Sequence, residues 1–288
     1  MAKEKIKVKI LGVSAGHRKH MNTFYLVLLA LKAVDKFAER VAEIADIETE
    51  IVDLADKEIK PCLSYCEWRH MPNKGLPYTG KKRPAPKGCP ITNDYMAKVL
   101  IPKMFEADGF VFGSPTFTWS YTSKFRLFTE RWSPLMWGGG TTGKPAAAIT
   151  VGEMPFGGEE TCLHHMNQIL HASEMLPVSW YAGVTGVSGP PRGPHPSDKD
   201  YSARIGASKD RFARWLAVYN GRRVAEYAVM IKIAKKELGE VWEREFIKLF
   251  HPPKGDEPWA WDRLDKEVQE DLENLTPQKA QTLVKELS

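Results

Sequence analysis

Five short apolar runs alternate with helical patterns between residues 6 and 184, and this alternation constrains the fold more than any other feature of the chain. The run Gly109-Phe110-Val111-Phe112-Gly113 is apolar throughout, as expected of a strand buried on both faces. The other runs are predicted to form strands at 6–11, 50–54, 145–151 and 178–184. Because strands that alternate with helices form parallel sheets covered on both faces, we predict an α/β fold, a doubly wound five-stranded parallel sheet.

Helical patterns lie between and after these strands. They are predicted at about 23–44, 94–106, 123–132, 159–174, 200–249 and 267–287. The segment GVSGPPRGPHPSD, which starts at Gly186, is rich in Gly and Pro and indicates a linker. We therefore expect a first domain at 1–186, with an insertion at about 57–91, and a linker with a helical C-terminal extension at 187–288.

Composition bears on compartment and partners. Four cysteines in 288 residues are too few for a disulfide-stapled secreted protein, and the start MAKEKIKVKILGVSAG lacks the apolar core of a signal peptide. The apolar run 24–31 is shorter than the roughly 20 residues of a spanning helix. A net charge of +5 is below the balance typical of nucleic-acid binding. We expect a cytoplasmic protein with no membrane span and no nucleic-acid partner.

Three loops follow predicted strands at the sheet edge where ligands of doubly wound folds bind. GVSAGHRKHMNT, at 12–23, combines hydroxyls, an arginine and a glycine before a helix, which favours a phosphate site, although a solvated polar turn has a similar composition. It does not fit the dinucleotide motif G-x-G-x-x-G. GSPTFTWSYTSKFRLFTER and VGEMPFGGEET supply aromatic walls and glycines suited to a flat ring. Together the loops indicate a mononucleotide site.

These motifs and their order resemble those of the flavodoxin-like NAD(P)H-dependent FMN reductases, in particular the iron–sulfur flavoprotein branch. The resemblance is carried, over about residues 5–185, by GVSAGHRKHMNT, PCLSYC, KGCPITND, EADGFVFGSPTFT, TGKPAAAITVG and FGGEET. It implies a flavodoxin-like fold with FMN as cofactor. The residues implied around the FMN phosphate are Ser14, Gly16, Arg18, Asn22 and Thr23. Those implied to flank the flavin ring are Pro115, Thr116, Phe117, Thr118 and Trp119 on one side and Gly152, Gly157 and Gly158 on the other.

One part of the phosphate loop departs from the family pattern. Ala15-Gly16-His17 stands where the family has Gly-Ser-Pro, which removes one hydroxyl. Either phosphate binding is weaker, or His17 and His20 supply the contacts.

The resemblance also implies an activity. An NAD(P)H-dependent oxidoreductase would transfer hydride from a nicotinamide to flavin N5 and then reduce a small-molecule or protein acceptor, as a homodimer or homotetramer. The first half-reaction requires no acid or base, so we assign no catalytic residue. Two alternatives stay open: an electron-transfer flavoprotein reduced by a protein partner, and a non-catalytic flavodoxin-like subunit.

The spacing of the four cysteines differs from that of a run that holds an iron–sulfur cluster. Cys62 and Cys66 are spaced C-x₃-C and Cys89 follows after 22 residues, whereas Cys162 lies on a later predicted helix. The iron–sulfur flavoproteins hold a [4Fe–4S] cluster with a compact four-cysteine run, and clusters generally need four thiolates. We expect plain or redox-active thiols and no metal, with a [4Fe–4S] cluster or zinc on Cys62, Cys66 and Cys89 as the alternatives.

Two further motifs are better explained without a ligand. Gly138–Pro145, GGGTTGKP, matches G-x-x-x-x-G-K but has proline where Ser or Thr must meet magnesium, and it precedes a strand. His164, His165 and His171 share a helical pattern without the H-E-x-x-H arrangement, which favours a helix surface or a subunit contact.

Positive charge is concentrated in the insertion. Residues 57–88 hold eight Lys and Arg against two Glu, whereas 250–288 hold five basic residues against nine acidic ones. A solvated surface is one interpretation. Because the segment after the second strand lies near the flavin in a flavodoxin-like fold, the other is attraction of a 2′-phosphate, an anionic acceptor or an acidic redox protein.

Overall fold

The structure, a computed structural model, describes residues 4–63, 89–132, 135–136, 140–152, 157–179, 184–187 and 206–246, together with positions 278, 282 and 285. Its strands are β1 (Ile6–Ser14), β2 (Ala45–Asp53), β3 (Gly109–Pro115), β4 (Pro145–Gly152), β5 (Leu176–Pro177) and β6 (Val184–Val187). Its helices are α1 (Asn22–Arg40), α2 (Ile101–Glu106, after a π-helical turn at Met96–Leu100), α3 (Ser123–Arg131), α4 (Glu159–Ala172), α5 (Arg211–Leu238) and α6 (Glu240–Glu245).

The strands form one sheet in the order β2-β1-β3-β4-β5, and β6 also pairs with β4. Every pairing is parallel. Because the order 2-1-3-4-5 is that of flavodoxin-like sheets, the predicted fold class is confirmed.

The fifth position of the sheet differs from the prediction of one strand at 178–184. Two short strands fill it: β5 pairs with the start of β4 at Pro145 and Ala146, and β6 pairs with its last four residues, Ile149–Gly152. Pro177 has no N–H to donate, so β5 contributes little pairing of its own. Among the described residues, the pairing beside β4 is therefore divided between two short strands, and β4 itself is fully buried.

The two faces of the sheet are covered by different helices, because side chains alternate along each strand. Phe110 and Phe112 of β3 pack in one buried cluster with residues of α2, α3 and α4. Val111, between them, packs in the other with residues of α1 and α5. Helices on both faces make the sheet doubly wound, as predicted.

Helix α5 belongs to the predicted C-terminal extension, and its described part packs against the sheet. Its buried side contributes Leu216 and Val224 to the same cluster as α1. The Asp210 side chain caps its amino end by accepting a hydrogen bond from the Ala213 N–H (2.9 Å). Gly221 lies so close to α1 that a Cβ atom built on it would overlap the carbonyl group of Ala30. The division of the chain at residue 186 stays a prediction.

A buried ion pair joins the two ends of the predicted insertion. Arg131, at the end of α3, pairs with Asp94 through Nη1 and Oδ2 at 2.6 Å, and both side chains are almost fully buried. The same guanidinium donates to the carbonyls of Lys60 (2.9 Å) and Ile91 (3.2 Å). One side chain therefore holds the chain on both sides of the segment 64–88. This segment, which includes Cys66 and most of the predicted basic cluster, lies outside the described residues. We call this group of contacts the Arg131–Asp94 clamp.

None of the helices in the described part of the chain has the length and apolar character needed to cross a bilayer.

Candidate functional site

The loop at 15–21 follows β1 and is held by both neighbouring strands. The Ala15 N–H donates to the Gly113 carbonyl in β3 (2.7 Å). The His20 N–H donates to the Asp53 carboxylate at the end of β2 (2.8 Å). The ends of three adjacent strands therefore fix the position of this loop.

The residues predicted around the phosphate lie in or beside this loop. Ser14 and Thr23 are buried, and Arg18 is exposed. Gly16 is buried, and a Cβ atom built on it would make only ordinary van der Waals contacts, the nearest at 3.6 Å with the Arg18 carbonyl oxygen. The structure thus places the Gly16 backbone close to the Thr23 side chain.

Helix α1 begins directly after this loop, and its amino end is open to an anion. Among the described residues, no side chain caps this end, and no acidic residue lies in its first turn. Asn22 Oδ1 instead accepts from the Ala207 N–H (2.9 Å), which ties the start of α1 to the segment before α5. Uncapped N–H groups at the start of a helix attract phosphate, so this end suits the phosphate of a mononucleotide.

The loop after β3 contains a strained turn. Phe117 and Ser120 exchange two backbone hydrogen bonds (2.7 and 3.0 Å), and Thr118 and Trp119 between them have φ angles of 50° and 62°. A positive φ costs a non-glycine residue about 1–2 kcal/mol, and such strain is concentrated at functional sites. The turn presents the Phe117 and Trp119 side chains, which are 51% and 59% exposed.

Thr122 connects this loop to the first one, although the sequence motifs did not single it out. Its hydroxyl donates to the Ala15 carbonyl (2.7 Å) and accepts from the Phe125 N–H (3.2 Å), which caps α3. Its N–H donates to Ser114 Oγ (3.0 Å). One buried threonine therefore fixes the distance between the phosphate loop and the aromatic turn.

The loop after β4 contacts the aromatic turn through Gly158. This residue has a φ of 97°, and a Cβ atom built on it would lie 2.8 Å from Cα and Cε3 of Trp119. Gly157 precedes it at intermediate exposure. Because Trp119 lies on the bare backbone of Gly158, the second and third loops form one continuous rim.

Polar side chains line the underside of this rim. The hydroxyls of Thr116 and Thr150 lie 2.9 Å apart, and Thr150 Oγ1 lies 3.4 Å from Cys162 Sγ in α4. Burial raises the pKa of the Cys162 thiol, and the negative charge of Glu159 adds to the rise. Cys162 is therefore a buried neutral thiol at neutral pH. Pro115, the residue before Thr116, is the last residue of β3.

Other side chains from the sequence motifs lie elsewhere. Lys144, from the G-K pattern, donates to the carbonyls of Met104 (3.1 Å) and Phe105 (2.9 Å) at the end of α2. It therefore caps a helix and takes no part in the rim. Burial lowers the pKa of Lys144 to about 7. His165 reaches the aromatic turn, with Nδ1 3.2 Å from Ser120 Oγ.

The cysteines of the insertion are partly described. Cys62 and Cys89 have intermediate exposure, and Cys66 lies outside the described residues. Within the ranges that the structure covers, no group of three His, Cys, Asp or Glu side chains is arranged to hold a metal ion.

A cavity of about 440 Å³ lies away from the rim. It is lined by residues 176–179 and by Tyr219, Arg223 and Tyr227 of α5. Because β5 pairs with the first residues of β4, the cavity is at the amino edge of the sheet, opposite the three loops.

Gly158→Ala is expected to lower the free energy of unfolding by about 1–3 kcal/mol, since the new Cβ atom overlaps the Trp119 backbone and the φ of Gly158 disfavours a side chain. Gly16→Ala is the matched control in the other loop. Its Cβ atom has space, so we expect a change within about 0.5 kcal/mol. Urea unfolding of the wild type and both variants measures the difference. Equal effects would contradict the packing of Trp119 on Gly158.

The sheet order is that of a flavodoxin-like fold, and three loops meet at the carboxyl ends of its strands. The sequence profile of the NADPH-dependent FMN reductase family matches residues 8–186. The chain belongs to this family.

The chain is also similar to individual known proteins. The chain is 30% identical, over 231 residues, to an iron–sulfur flavoprotein of Methanocaldococcus jannaschii. The aligned region covers 78% of this chain and 100% of the relative. Among solved structures it resembles RosB with bound 8-demethyl-8-formylriboflavin-5'-phosphate, with a TM-score of 0.52, 16% identity, and coverage of 88% of this chain and 93% of RosB. The apo form of an NADH:FMN oxidoreductase has a TM-score of 0.47 and 14% identity, over 77% of this chain and 89% of that one.

FMN fits the rim on three observations of the structure. A Cβ atom at Gly16 would meet no close contact, the amino end of α1 is uncapped among the described residues, and the half-exposed Trp119 lies on the Gly158 backbone of the third loop, with the half-exposed Phe117 in the same turn as Trp119. These features match a phosphate and a flat ring respectively.

Proposed function

We propose that the protein is an NAD(P)H-dependent FMN oxidoreductase that passes electrons from a nicotinamide to an acceptor. The observation that carries this proposal is the joining of the three strand-end loops. Thr122 ties the phosphate loop to the aromatic turn, and Trp119 ties that turn to the Gly158 backbone. Because all three loops are fixed relative to one another, the rim is preorganised for a ligand that touches all of them.

Each loop has a separate task in this proposal. The backbone at Gly16, the hydroxyls of Ser14 and Thr23 and the start of α1 hold the phosphate. Phe117 and Trp119 flank the ring and exclude water from one side, and Gly157 allows close approach on the other. When bound, FMN supplies the hydride and electron chemistry, and the protein supplies position and electrostatics. Arg18, exposed beside the phosphate loop, adds a positive charge.

The acceptor and the nicotinamide form belong to the same proposal. The positive charge of 57–88 favours an anionic partner, such as the 2′-phosphate of NADPH, a small anionic acceptor or an acidic redox protein. Homodimer or homotetramer formation stays a prediction.

A second candidate is an electron-transfer flavoprotein reduced by a protein partner. The relative from Methanocaldococcus jannaschii is an iron–sulfur flavoprotein. In this chain the Arg131–Asp94 clamp fixes the carbonyls of Lys60 and Ile91, each two residues from a cysteine, Cys62 and Cys89. A cysteine-bearing segment with anchored ends suits an electron relay beside the flavin.

Apoprotein is expected to bind FMN, and Phe117→Ala is expected to weaken binding about tenfold, as loss of an aromatic contact worth about 1.4 kcal/mol. Phe212→Ala is the matched control, because Phe212 is similarly exposed (57%) on α5, in the C-terminal region, and should bind FMN like the wild type. Quenching of flavin fluorescence measures the dissociation constants. A protein that takes up no FMN would overturn the proposed function.

Anaerobic addition of NADPH and NADH to the FMN-loaded protein separates the two candidates. Bleaching of the flavin absorbance within the mixing time of a hand-mixed cuvette supports the proposed oxidoreductase. A flavin that stays oxidised with both nicotinamides and is reduced by dithionite or a reduced ferredoxin would favour the second candidate.

A further inference from the structure

Glu159 is a buried carboxylate outside the set of residues proposed to bind FMN. It is the first residue of α4 and is 2% exposed. Its Oε2 atom is buried and accepts no hydrogen bond from the residues that the structure describes. Buried polar atoms in native proteins are nearly always hydrogen-bonded, so an unpaired carboxylate oxygen requires a reason.

The carboxylate lies at the carboxyl edge of the sheet, on the underside of the rim. A Cβ atom built on Gly152, the last residue of β4, would overlap it. Only glycine at 152 therefore leaves room for this side chain. Glu159 also acts electrostatically on Cys162, whose thiol is in contact with Thr150. These contacts place a negative charge beneath the two loops that flank the ring in the proposed function.

The amino end of α4 offsets the negative charge of the Glu159 carboxylate only in part. A helix amino end favours a negative side chain, and Glu159 and Glu160 both occupy the first turn of this 14-residue helix. This attraction does not replace a hydrogen bond to Oε2. The arrangement keeps a negative charge in a region of low dielectric, where its effect on neighbouring charges is strong.

We propose that Glu159 lowers the reduction potential of FMN bound at this rim, which makes the reduced protein a stronger electron donor. The proposal rests on the proposed function. A hydride brings two electrons and one proton, so accepting it adds one negative charge to the site. A fixed carboxylate nearby opposes that added charge, and the reduced cofactor is bound less tightly than the oxidised one in proportion. Glu159 is thus a tuning residue and takes no part in proton transfer.

Glu159→Gln keeps the shape of the side chain and removes its charge. Relative to wild type, the ratio of the dissociation constants of reduced and oxidised FMN is expected to fall about tenfold. This corresponds to a reduction potential of bound FMN about 30 mV more positive for the two-electron couple. Glu160→Gln is the matched control, because it removes the same charge from the same turn at an exposed position. We expect it to change the ratio less than about twofold.

Spectroelectrochemical titration at fixed pH measures the potentials, and fluorescence titration with oxidised FMN gives the affinities independently of any turnover. Glu159→Met provides a second neutral side chain and is expected to shift the potential in the same direction. A shift in Glu159→Gln no larger than in Glu160→Gln, or a shift in only one of the two neutral variants, overturns the proposal while FMN binding by the wild type still supports the proposed function. Failure of the wild type to bind FMN overturns both.

Discussion

Arg131→Met is expected to lower the free energy of unfolding by about 3–5 kcal/mol, the largest effect of any single substitution that we predict. The change leaves Asp94 buried without its cation and removes the donor shared by Lys60 and Ile91. Guanidinium unfolding at pH 7 measures the loss. Arg126→Met is the control on the same helix, because Arg126 pairs with Glu130 at the surface, where an ion pair contributes about 0.5 kcal/mol or less. Similar losses in the two variants would contradict the burial of the clamp.

The Arg131–Asp94 ion pair also makes the free energy of unfolding depend on pH in the acid range. Burial opposes ionisation of Asp94, but hydrogen bonds from Arg131 and from the N–H groups of Ala97 and Lys60 outweigh it, so the pKa of Asp94 is lowered. A carboxyl whose pKa is lower in the folded state stabilises the fold above its unfolded pKa, about 3.9, and this stabilisation is lost as the pH falls through the folded value. The stability difference between wild type and Arg131→Met should therefore shrink on acidification below about pH 4.

Gly221→Ala is expected to destabilise the protein by about 2–3 kcal/mol, although the same change at an exposed helical position stabilises by about 1 kcal/mol. The added Cβ atom would overlap the Ala30 carbonyl group and force α5 away from α1. Thermal and urea unfolding both report the change. Arg214→Ala, at an exposed position of α5, should stay within about 0.5 kcal/mol of wild type. Stabilisation by Gly221→Ala would contradict the close crossing of the two helices.

The strands that could be predicted are those buried on both faces. β3 and β4 are buried and mostly apolar, so their existence and type follow from composition, and the structure extends each by only one or two residues. β2 begins five residues earlier than expected, at Ala45. Its first half is polar and is fixed by pairing with β1, where Ala45 lies opposite Ile6. An edge strand held by its neighbour leaves little apolar pattern in the sequence.

Helix ends could have been located more closely. Within the described part of the predicted helix 200–249, residues 206–246, the structure has α5 and α6, with Asp210 as the amino-terminal cap and Gly239, at a φ of 47°, between them. Both residues follow ordinary capping preferences, so the signal was present in the sequence. The division of the fifth strand had no such signal, because an apolar run does not reveal which of its residues pair with a neighbour.

Part of the candidate site could likewise be predicted from local sequence, and part depends on contacts between distant segments. The loops and their glycines follow from motifs, since each lies directly after a strand. Thr122 precedes α3 and could have been identified as its cap, but its bond to Ala15 depends on how two distant loops meet. Glu159 resembles any acidic residue at the start of a helix. Its burial depends on the absence of a side chain at Gly152, which only the packed structure reveals.

The Arg131–Asp94 clamp also determines how freely the chain can change between its two anchored ends. Since one guanidinium fixes the Lys60 and Ile91 carbonyls, the sheet is insulated from the length of the polypeptide that joins them. The entropy of closing such a loop grows slowly, by about 0.6 kcal/mol for each doubling of its length. Segments of very different size, with or without cysteines, can therefore be exchanged at this point. The clamp therefore makes the segment between these two carbonyls replaceable on a fixed flavodoxin-like sheet.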